Sequence, residues 1–381
     1  MEKTERQSNV ELLRILAMLI IIGHHYVLHG GMADCTGAPF YNRIWIQFLL
    51  LGGKLGVSLF VLISGYFLVT ANHLRIEKLL KLWLQVFTWS IICYGVYHVL
   101  MHRYTGQNQF LISDFVKCFF PLIFQSWWFA STYFALILFS PFLNRLLISL
   151  SQKQYRSFLL LMTACWGIVP LLFGKSFEVS HLLWFCYLYS IAGYIRLHRN
   201  PEVFPLSGPK CIALACLLLF FVLFVVDRCR ILRLNLLQFR EEYRYSFGED
   251  GEQRFLLLLT VVAVLLFTGF LKCRIKHSRI INLISSSTFG VYLLHDSIHL
   301  RPALWSLVNG SHGDKYAYQL SFILRSVAVV LLVFAACMLI ELLRITLLEK
   351  RYRNALGRAG ARVEELLHKW NDSFDKADPM V

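Results

Sequence analysis

The sequence is short of charged residues. Asp, Glu, Lys and Arg make up 16% of its 381 residues, whereas soluble domains carry about 25%. Hydrophobic residues make up 57%, aromatic residues 15%, and the mean hydropathy is +0.56. This composition excludes an ordinary soluble globular domain and makes an integral membrane protein the first class to consider.

Acidic residues are scarcer than basic ones. The chain has 23 Asp and Glu against 38 Lys and Arg, which gives a formal net charge of +15. A basic excess is also a property of nucleic-acid-binding proteins, but the sequence contains no recognisable nucleic-acid-binding motif. In a polytopic membrane protein the same excess marks cytoplasmic loops. We therefore expect no nucleic-acid partner.

Closely spaced cysteine pairs are missing as well. The ten cysteines include no CxxC pair, and most of them lie within apolar runs, where cysteine acts as a small hydrophobic residue. The spacing therefore disfavours both a disulfide framework and a zinc site built from thiolates.

Long apolar runs, in contrast, recur from end to end. Each covers about 17–25 residues, the length that crosses a bilayer as an α-helix. The first run ends in His24 and His25 rather than in a small-residue cleavage site, so we interpret it as a retained span and not as a signal peptide. The sequence thus predicts an all-α polytopic membrane protein with about ten transmembrane helices. The predicted spans are 12–29, 48–69, 80–101, 127–147, 157–173, 181–197, 211–227, 255–271, 285–300 and 320–342.

The charges of the connections predict the orientation. Lys and Arg cluster in alternate connections and in the C-terminal tail, and the positive-inside rule then places both termini in the cytoplasm. The connection 228–254 disagrees, because it carries six arginines on the predicted outer side, mixed with acidic residues. A long mixed-charge loop constrains topology weakly, and an alternative is that it covers a site from outside. We predict one transmembrane domain over 1–345 and a cytoplasmic amphipathic helix within 346–381.

The first span carries polar residues on one face. Arg14 and His25 are eleven residues apart, which leaves them about 20° from each other around an α-helix and roughly 16 Å apart along it. Glu11 lies on the same side. The stripe contains a titratable imidazole near the outer end, and histidine is a common general base.

Two other interpretations of His25 remain open at this stage. An interfacial position near the outer end of the span would explain the histidine without any function. His25 and His29 are also spaced i, i+4, as metal ligands on a helix can be. No HExxH motif accompanies them, so the spacing carries little specificity, and we expect no metal.

The second span contains several small residues. Gly52 and Gly53 fall inside a run too long for a straight crossing, which predicts a hinge or the true outer start there. Lys54 then lies within the membrane zone, where it either extends to the interface or faces a cavity. Ser64 lies among small residues that favour close helix packing.

The ninth predicted span, "SSSTFGVYLLHDSIHL", contains a second polar group. Thr288, Tyr292, His295 and His299 fall within about 40° of one another on a helix, and Asp296 adjoins them. Ionisable residues within a membrane span indicate a functional site.

Aromatic and basic residues near the predicted interfaces allow simpler interpretations. Trp127 and Trp128 are predicted to belong to an aromatic belt at the outer interface. The predicted cytoplasmic position of the start of the third span is enough to explain its cations, Arg75, Lys78 and Lys81. Such a cluster also suits the phosphates of a cytosolic substrate.

Four of these stretches carry a family resemblance. "ELLRILAMLIIIGHHY", "GVSLFVLISGYFL", "WWFASTYFALILFSPFLNRLL" and "TFGVYLLHDS" follow one another in an order that resembles the membrane-bound acyltransferase 3 family. The similarity covers about residues 8–345. The family consists of ten-helix bacterial inner-membrane enzymes that O-acylate sugars and surface polysaccharides. The resemblance therefore implies transfer of an acyl group from cytosolic acyl-CoA to a carbohydrate hydroxyl, with acetyl as the favoured group.

The resemblance also implies roles for individual residues. It makes His25 the catalytic residue, as base or as transient acyl carrier. It matches Glu11 and Arg14 to the family's acidic and arginine positions, and we expect these two residues to form an inner-side ion pair that shapes the donor channel. The "R-x-x-R" motif of the family aligns with Lys78 and Lys81, a departure because lysine lacks the bidentate phosphate contact of arginine. Supporting positions for this site are His24, Ser64, Tyr292, His295 and Asp296.

A transporter or exporter of a polar or lipid-linked substrate is the alternative. Intramembrane His and Asp can relay protons in such proteins. Transporters commonly show internal repeats or paired broken spans, and neither is detectable in this sequence.

Overall fold

The computed structural model describes residues 6–32, 37–71, 74–105, 112–173, 180–198, 205–231, 249–309 and 313–377. All regular structure in these residues is helical. The helices are α1 Ser8–His29, α2 Phe40–Leu68, α3 Ile76–Thr105, α4 Ile112–Phe119, α5 Trp128–Ser149, α6 Gln152–Thr163, α7 Val169–Phe173, α8 His181–His198, α9 Gly208–Ile231, α10 Glu249–Lys272, α11 Arg279–His295, α12 Arg301–Asn309, α13 Gly313–Tyr316, α14 Phe322–Arg344 and α15 Lys350–Ala377. A π-helical turn joins α6 to α7, and another joins α14 to α15.

The predicted class, an all-α polytopic membrane protein, is confirmed. Eight segments within the described ranges are long and apolar enough to cross a membrane, and they correspond to α1, α2, α3, α5, the α6–α7 unit, α9, α10 and α14 with its extension. The shorter α8 and α11 fall on the two remaining predicted spans. The count of ten, the cytoplasmic termini and the division at residue 345 stay predictions. Most of the connection 228–254 lies outside the described residues.

Helix α1 lies at the centre of the bundle. It packs against α2, α10, α11, α14 and α12. In α2, 89% of the most apolar stretch is buried, whereas in the α6–α7 unit only 11% is buried. The α6–α7 unit therefore lies at the periphery, where its apolar side chains face lipid. The polar stripe of α1 is directed into the bundle rather than toward the membrane.

The hinge predicted at Gly52 and Gly53 is wrong. Helix α2 continues without a break from Phe40 to Leu68. The glycines instead allow α1 to approach: a Cβ atom at Gly53 would lie 2.7 Å from the His24 ring, and one at Gly56 would lie 2.8 Å from the Ala17 carbonyl oxygen. Small residues at this contact bring the histidines of α1 directly against α2.

The stripe predicted for the ninth span is also partly wrong. Helix α11 ends at His295, and Asp296 is its C-terminal cap. His299 follows this end and does not share a helix face with Tyr292 and His295. Its Nε2 atom lies 3.9 Å from the Cys118 sulfur instead.

A buried carboxylate holds α11 against its neighbours. The side chain of Glu341 on α14 accepts hydrogen bonds from Gln85 Nε2 at 2.9 Å, from Trp89 Nε1 at 2.8 Å, and from the Arg344 guanidinium at 2.8 and 3.0 Å. Gly290 of α11 lies directly on this carboxylate, with no space for a larger residue. The network joins α3 and α14 and sets the position of α11.

We therefore expect Gly290→Ala to lower stability by about 1–3 kcal/mol or more, because the added methyl group overlaps a side chain that four hydrogen bonds hold in place. Thermal unfolding in detergent measures the effect. Gly95→Ala on α3 is the matched control, since a Cβ atom there meets no other atom within 4 Å. Equal unfolding midpoints for the two variants would contradict the close contact.

Candidate functional site

Two helix ends meet at the site. The C-terminal end of α1 contributes His24, His25 and His29, and the C-terminal end of α11 contributes Tyr292, His295 and Asp296. Glu11 lies near the start of α1 and His25 near its end, so the two residues are far apart along the stripe. The predicted groups of the first and ninth spans thus form a single cluster.

His25 and His295 are hydrogen-bonded to each other. The Nδ1 atom of His25 lies 2.9 Å from Nε2 of His295, and Nδ1 of His295 lies 2.7 Å from the Val291 carbonyl oxygen. His295 is fully buried, and His25 is 9% exposed.

These contacts determine the tautomers of the neutral pair. A carbonyl oxygen only accepts, so Nδ1 of His295 carries a hydrogen and its Nε2 atom is an acceptor. Nδ1 of His25 must then donate to that acceptor. The remaining nitrogen, Nε2 of His25, carries a lone pair, which is what a general base or a nucleophile requires.

Asp296 faces this lone pair. Its Oδ1 atom lies 3.8 Å from Nε2 of His25 and 4.0 Å from Nε2 of His29. The same oxygen accepts a hydrogen bond from the Arg301 guanidinium at 3.2 Å. A proton taken up by His25 would therefore lie close to a carboxylate, which stabilises an imidazolium ion.

The donor set of His25, His29 and Asp296 resembles a metal site only loosely. Their candidate ligand atoms lie within 4.8 Å of one another, whereas bonds of about 2.0–2.2 Å to a tetrahedral zinc require closer ligand atoms. Arg301 already supplies a positive charge to the carboxylate. The cluster therefore suits a hydrogen-bonded ionic group better than a metal centre.

A cavity of about 260 Å³ adjoins the histidines. Its walls come from α1, α2, α5, α8 and α11. The lining residues are Met18, Ile21, His24, His25, Gly53, Lys54, Val57, Phe60, Trp128, Phe129, His181, Phe289 and Tyr292. Its walls are largely apolar and aromatic, with a few polar side chains among them, as in many small-molecule sites.

Lys54 faces the cavity, one of the two alternatives that the sequence left open. Its ammonium lies 5.3 Å from the ring centre of Trp128 and 5.2 Å from that of Trp184. Both are cation–π distances. His181 packs against the Trp128 ring, with 4.6 Å between the ring centres. His24 is held by α2, because its Nδ1 atom lies 2.7 Å from the Leu50 carbonyl oxygen.

The predicted inner-side residues lie apart from this cavity. Glu11 forms an ion pair with Arg14 at 3.0 Å and accepts a hydrogen bond from Ser285 of α11. Lys78 is exposed at the start of α3. Lys81 forms an ion pair with Glu349.

Ser64 lies one turn beyond Phe60 on α2, outside the cavity lining. Its hydroxyl donates to the Phe60 carbonyl oxygen at 2.9 Å and lies 3.0 Å from the Tyr133 hydroxyl. Of the predicted supporting residues, the structure places four close to His25: His24, Tyr292, His295 and Asp296. Ser64 lies outside the cavity lining, one helical turn beyond Phe60.

Sequence reasoning missed several neighbours of the site. The belt interpretation is wrong for Trp127, which is 2% exposed and donates to the Leu293 carbonyl oxygen at 3.1 Å. Trp128 lines the cavity rather than an interface. Arg301 lies in a predicted outer connection and belongs to no motif of the sequence. Its position near Asp296 depends on where α11 ends, and His181 has no sequence signal at all.

The fold and the site together define a class: a polytopic membrane protein with a histidine-lined cavity between its helices. The model of the acyltransferase 3 family, described as an acyltransferase domain, matches residues 7–342, nearly the whole chain. The chain belongs to this family and is a membrane acyltransferase. No curated protein and no solved structure matches the chain significantly.

Proposed function

We propose that the protein is an enzyme of the bacterial inner membrane. It transfers a short acyl group, with acetyl the favoured one, from cytosolic acyl-CoA to a hydroxyl of a cell-surface or lipid-linked carbohydrate. The observation that carries the proposal is the hydrogen bond between His25 and His295 at the wall of a cavity, which leaves Nε2 of neutral His25 with a lone pair. The family supplies acyl transfer, and this nitrogen supplies the base that an alcohol acceptor needs.

The chemistry is an exchange of a thioester for an ester. Nε2 of His25 takes the proton of the acceptor hydroxyl while the oxygen attacks the thioester carbonyl carbon. The new C–O bond forms, the C–S bond breaks, and the proton passes from His25 to the leaving sulfur. Asp296 stabilises the imidazolium ion in between. Transient acylation of the same nitrogen is the second route that this geometry supports.

The size of the cavity supports a short acyl group. Sites for drug-sized ligands occupy about 300–1,000 Å³, and this cavity measures about 260 Å³. The thioester end and one acceptor hydroxymethyl group together fill such a space.

The length of the stripe supports entry of the donor from the inner side. Arg14 and His25 are roughly 16 Å apart along α1, a distance that the long flexible arm of CoA spans. Cationic side chains at the inner end, Arg14 and Lys78 among them, suit the phosphates of the nucleotide.

Binding of acetyl-CoA to the purified protein tests the proposal. Calorimetry in detergent should show saturable binding of acetyl-CoA, with slow release of the CoA thiol in the absence of an acceptor. The acceptor class follows from the surface glycan that loses its ester when the gene is deleted. Absence of acetyl-CoA binding to a monodisperse preparation would refute the proposed donor.

Lys78→Gln is expected to weaken acetyl-CoA binding about two- to fivefold at low salt, with a smaller effect at high salt, because exposed charges are screened. Lys78 is a cleaner target than Lys81, whose replacement also breaks the pair with Glu349. Lys153→Gln on α6 removes another exposed lysine and serves as the control. An equal, salt-independent change in both variants would argue against phosphate contact at Lys78.

A further inference from the structure

Tyr292 has a buried hydroxyl whose O–H has no acceptor among the described residues. The side chain is 4% exposed and lines the cavity, and its hydroxyl oxygen lies beside the backbone N–H of Phe129 at the start of α5. A buried phenol normally finds a partner, and leaving it unpaired costs free energy. This hydroxyl therefore suits a ligand atom in the cavity.

The N-terminal end of α5 borders the same space. The residue before the helix, Trp127, provides no side-chain cap, and the first helical hydrogen bond runs from the Ser131 N–H to the Trp127 carbonyl oxygen at 3.1 Å. The N–H groups of Trp128, Phe129 and Ala130 thus have no acceptor within the helix. They give this end a partial positive charge that favours an anion.

The ring contacts place Tyr292 beside this helix end. Its ring packs edge to face against Phe129, with 5.6 Å between the ring centres. Trp128 and Phe129, the first two residues of α5, both line the cavity. Lys54 adds a full positive charge near the face of Trp128. Three kinds of positive or donating group therefore surround one cavity that His25 also borders.

We propose that the Tyr292 hydroxyl, the N-terminal end of α5 and the Lys54 ammonium together form the oxyanion site of the acyl transfer. The inference rests on the proposed function. When the acceptor oxygen attacks, the π electron pair of the thioester carbonyl moves onto its oxygen, which becomes negatively charged. These groups bind that oxygen until the pair returns and the C–S bond breaks. Tyr292 and Lys54 would then be catalytic residues in addition to His25.

Tyr292→Phe tests the site with the smallest change. We expect kcat for acetyl-CoA cleavage to fall about 10²–10³-fold, with the dissociation constant of acetyl-CoA changed by less than about twofold. The thermal unfolding midpoint should change little, because the O–H donates to no described residue and its oxygen meets only the Phe129 N–H. Tyr187→Phe on α8 is the matched control: it removes a buried hydroxyl that contacts Thr163 outside the cavity lining, and it should leave kcat unchanged.

Lys54→Met provides the second variant and should lower kcat by a similar factor without weakening donor binding. If the wild type cleaves acetyl-CoA and Tyr292→Phe does so at a rate within about threefold of it, the oxyanion site is overturned. The proposed function would stand in that case. A loss confined to the KM of the acceptor would also overturn the oxyanion site, in favour of acceptor binding. Wild-type protein that neither binds nor cleaves acetyl-CoA would remove the proposed function and this site with it.

Discussion

Replacing His25 by asparagine is expected to lower kcat for acyl transfer by about 10²–10⁴-fold, the contribution of a well-placed general base. In the proposed reaction the Nε2 atom of His25 is the base that takes the acceptor proton. Asparagine has no basic nitrogen to replace it. Affinity for acetyl-CoA should change by less than about twofold, because the imidazole acts on the acceptor rather than on the nucleotide. Steady-state release of the CoA thiol and calorimetry measure the two quantities separately.

The control for this variant is His198→Asn, at the C-terminal end of α8. His198 packs against Tyr155 and Tyr194, outside the cavity lining, so its replacement tests the effect of losing a histidine elsewhere in the bundle. Its kcat should equal that of the wild type. A His25→Asn protein that binds acetyl-CoA and turns over at the wild-type rate would remove His25 from the chemistry while leaving the enzyme class intact.

The second large effect is expected at His295. This residue acts on His25 and not on the substrate: its Nε2 atom accepts the Nδ1–H of His25 and so keeps the lone pair on the far nitrogen. His295→Leu removes the acceptor and leaves a buried N–H unpaired, and we expect kcat to fall about 10–10²-fold, as for residues that orient a catalytic group.

His295→Gln separates positioning from packing. Glutamine reaches a similar point with an amide oxygen that can accept the same hydrogen bond. We expect this variant to recover most of the activity lost in His295→Leu, with KM nearly unchanged in both. Equal losses of kcat in the leucine and glutamine variants would show that the volume of the imidazole matters and its acceptor does not.

The membrane helices could be predicted from the sequence because the bilayer sets their length and composition. In the described part of the chain, eight of the predicted runs correspond to helices or helix pairs long and apolar enough to cross a membrane, and the stripe of α1 follows from helix geometry alone, since no residue interrupts Ser8–His29. Glu11 and Arg14 form the ion pair expected of them. His25, Tyr292, His295 and Asp296 could each be named because polar residues in apolar runs stand out.

The errors arose where a residue type has two structural uses. Gly52 and Gly53 indicated a break in α2, but glycines within a helix also permit close packing, and here they contact α1. Trp127 indicated an interface, but an indole N–H can equally reach a carbonyl oxygen inside the bundle. Sequence alone does not distinguish these uses, because the neighbouring helix decides between them.

The side-chain partners of several ionisable residues could not be predicted. The contact between His25 and His295 joins residues 270 positions apart, and the pairing of Lys81 with Glu349 depends on the turn that joins α14 to α15. Arg301 approaches Asp296 only because α11 ends at His295. Each of these three contacts depends on where a helix ends or on which helices are neighbours. Hydrophobic periodicity predicts none of them.

The structure of the protein with a ketone analogue of acetyl-CoA, in which a methylene group replaces the bridging sulfur atom, tests the central claim most directly. The carbonyl carbon should lie in the cavity near Nε2 of His25, with room for an acceptor hydroxyl between them, and reacting atoms about 3–3.5 Å apart. Its oxygen should be directed toward Tyr292 and the N-terminal end of α5, and its nucleotide should lie on the Lys78 side. An analogue bound elsewhere, with the cavity beside His25 left without it, would contradict the account.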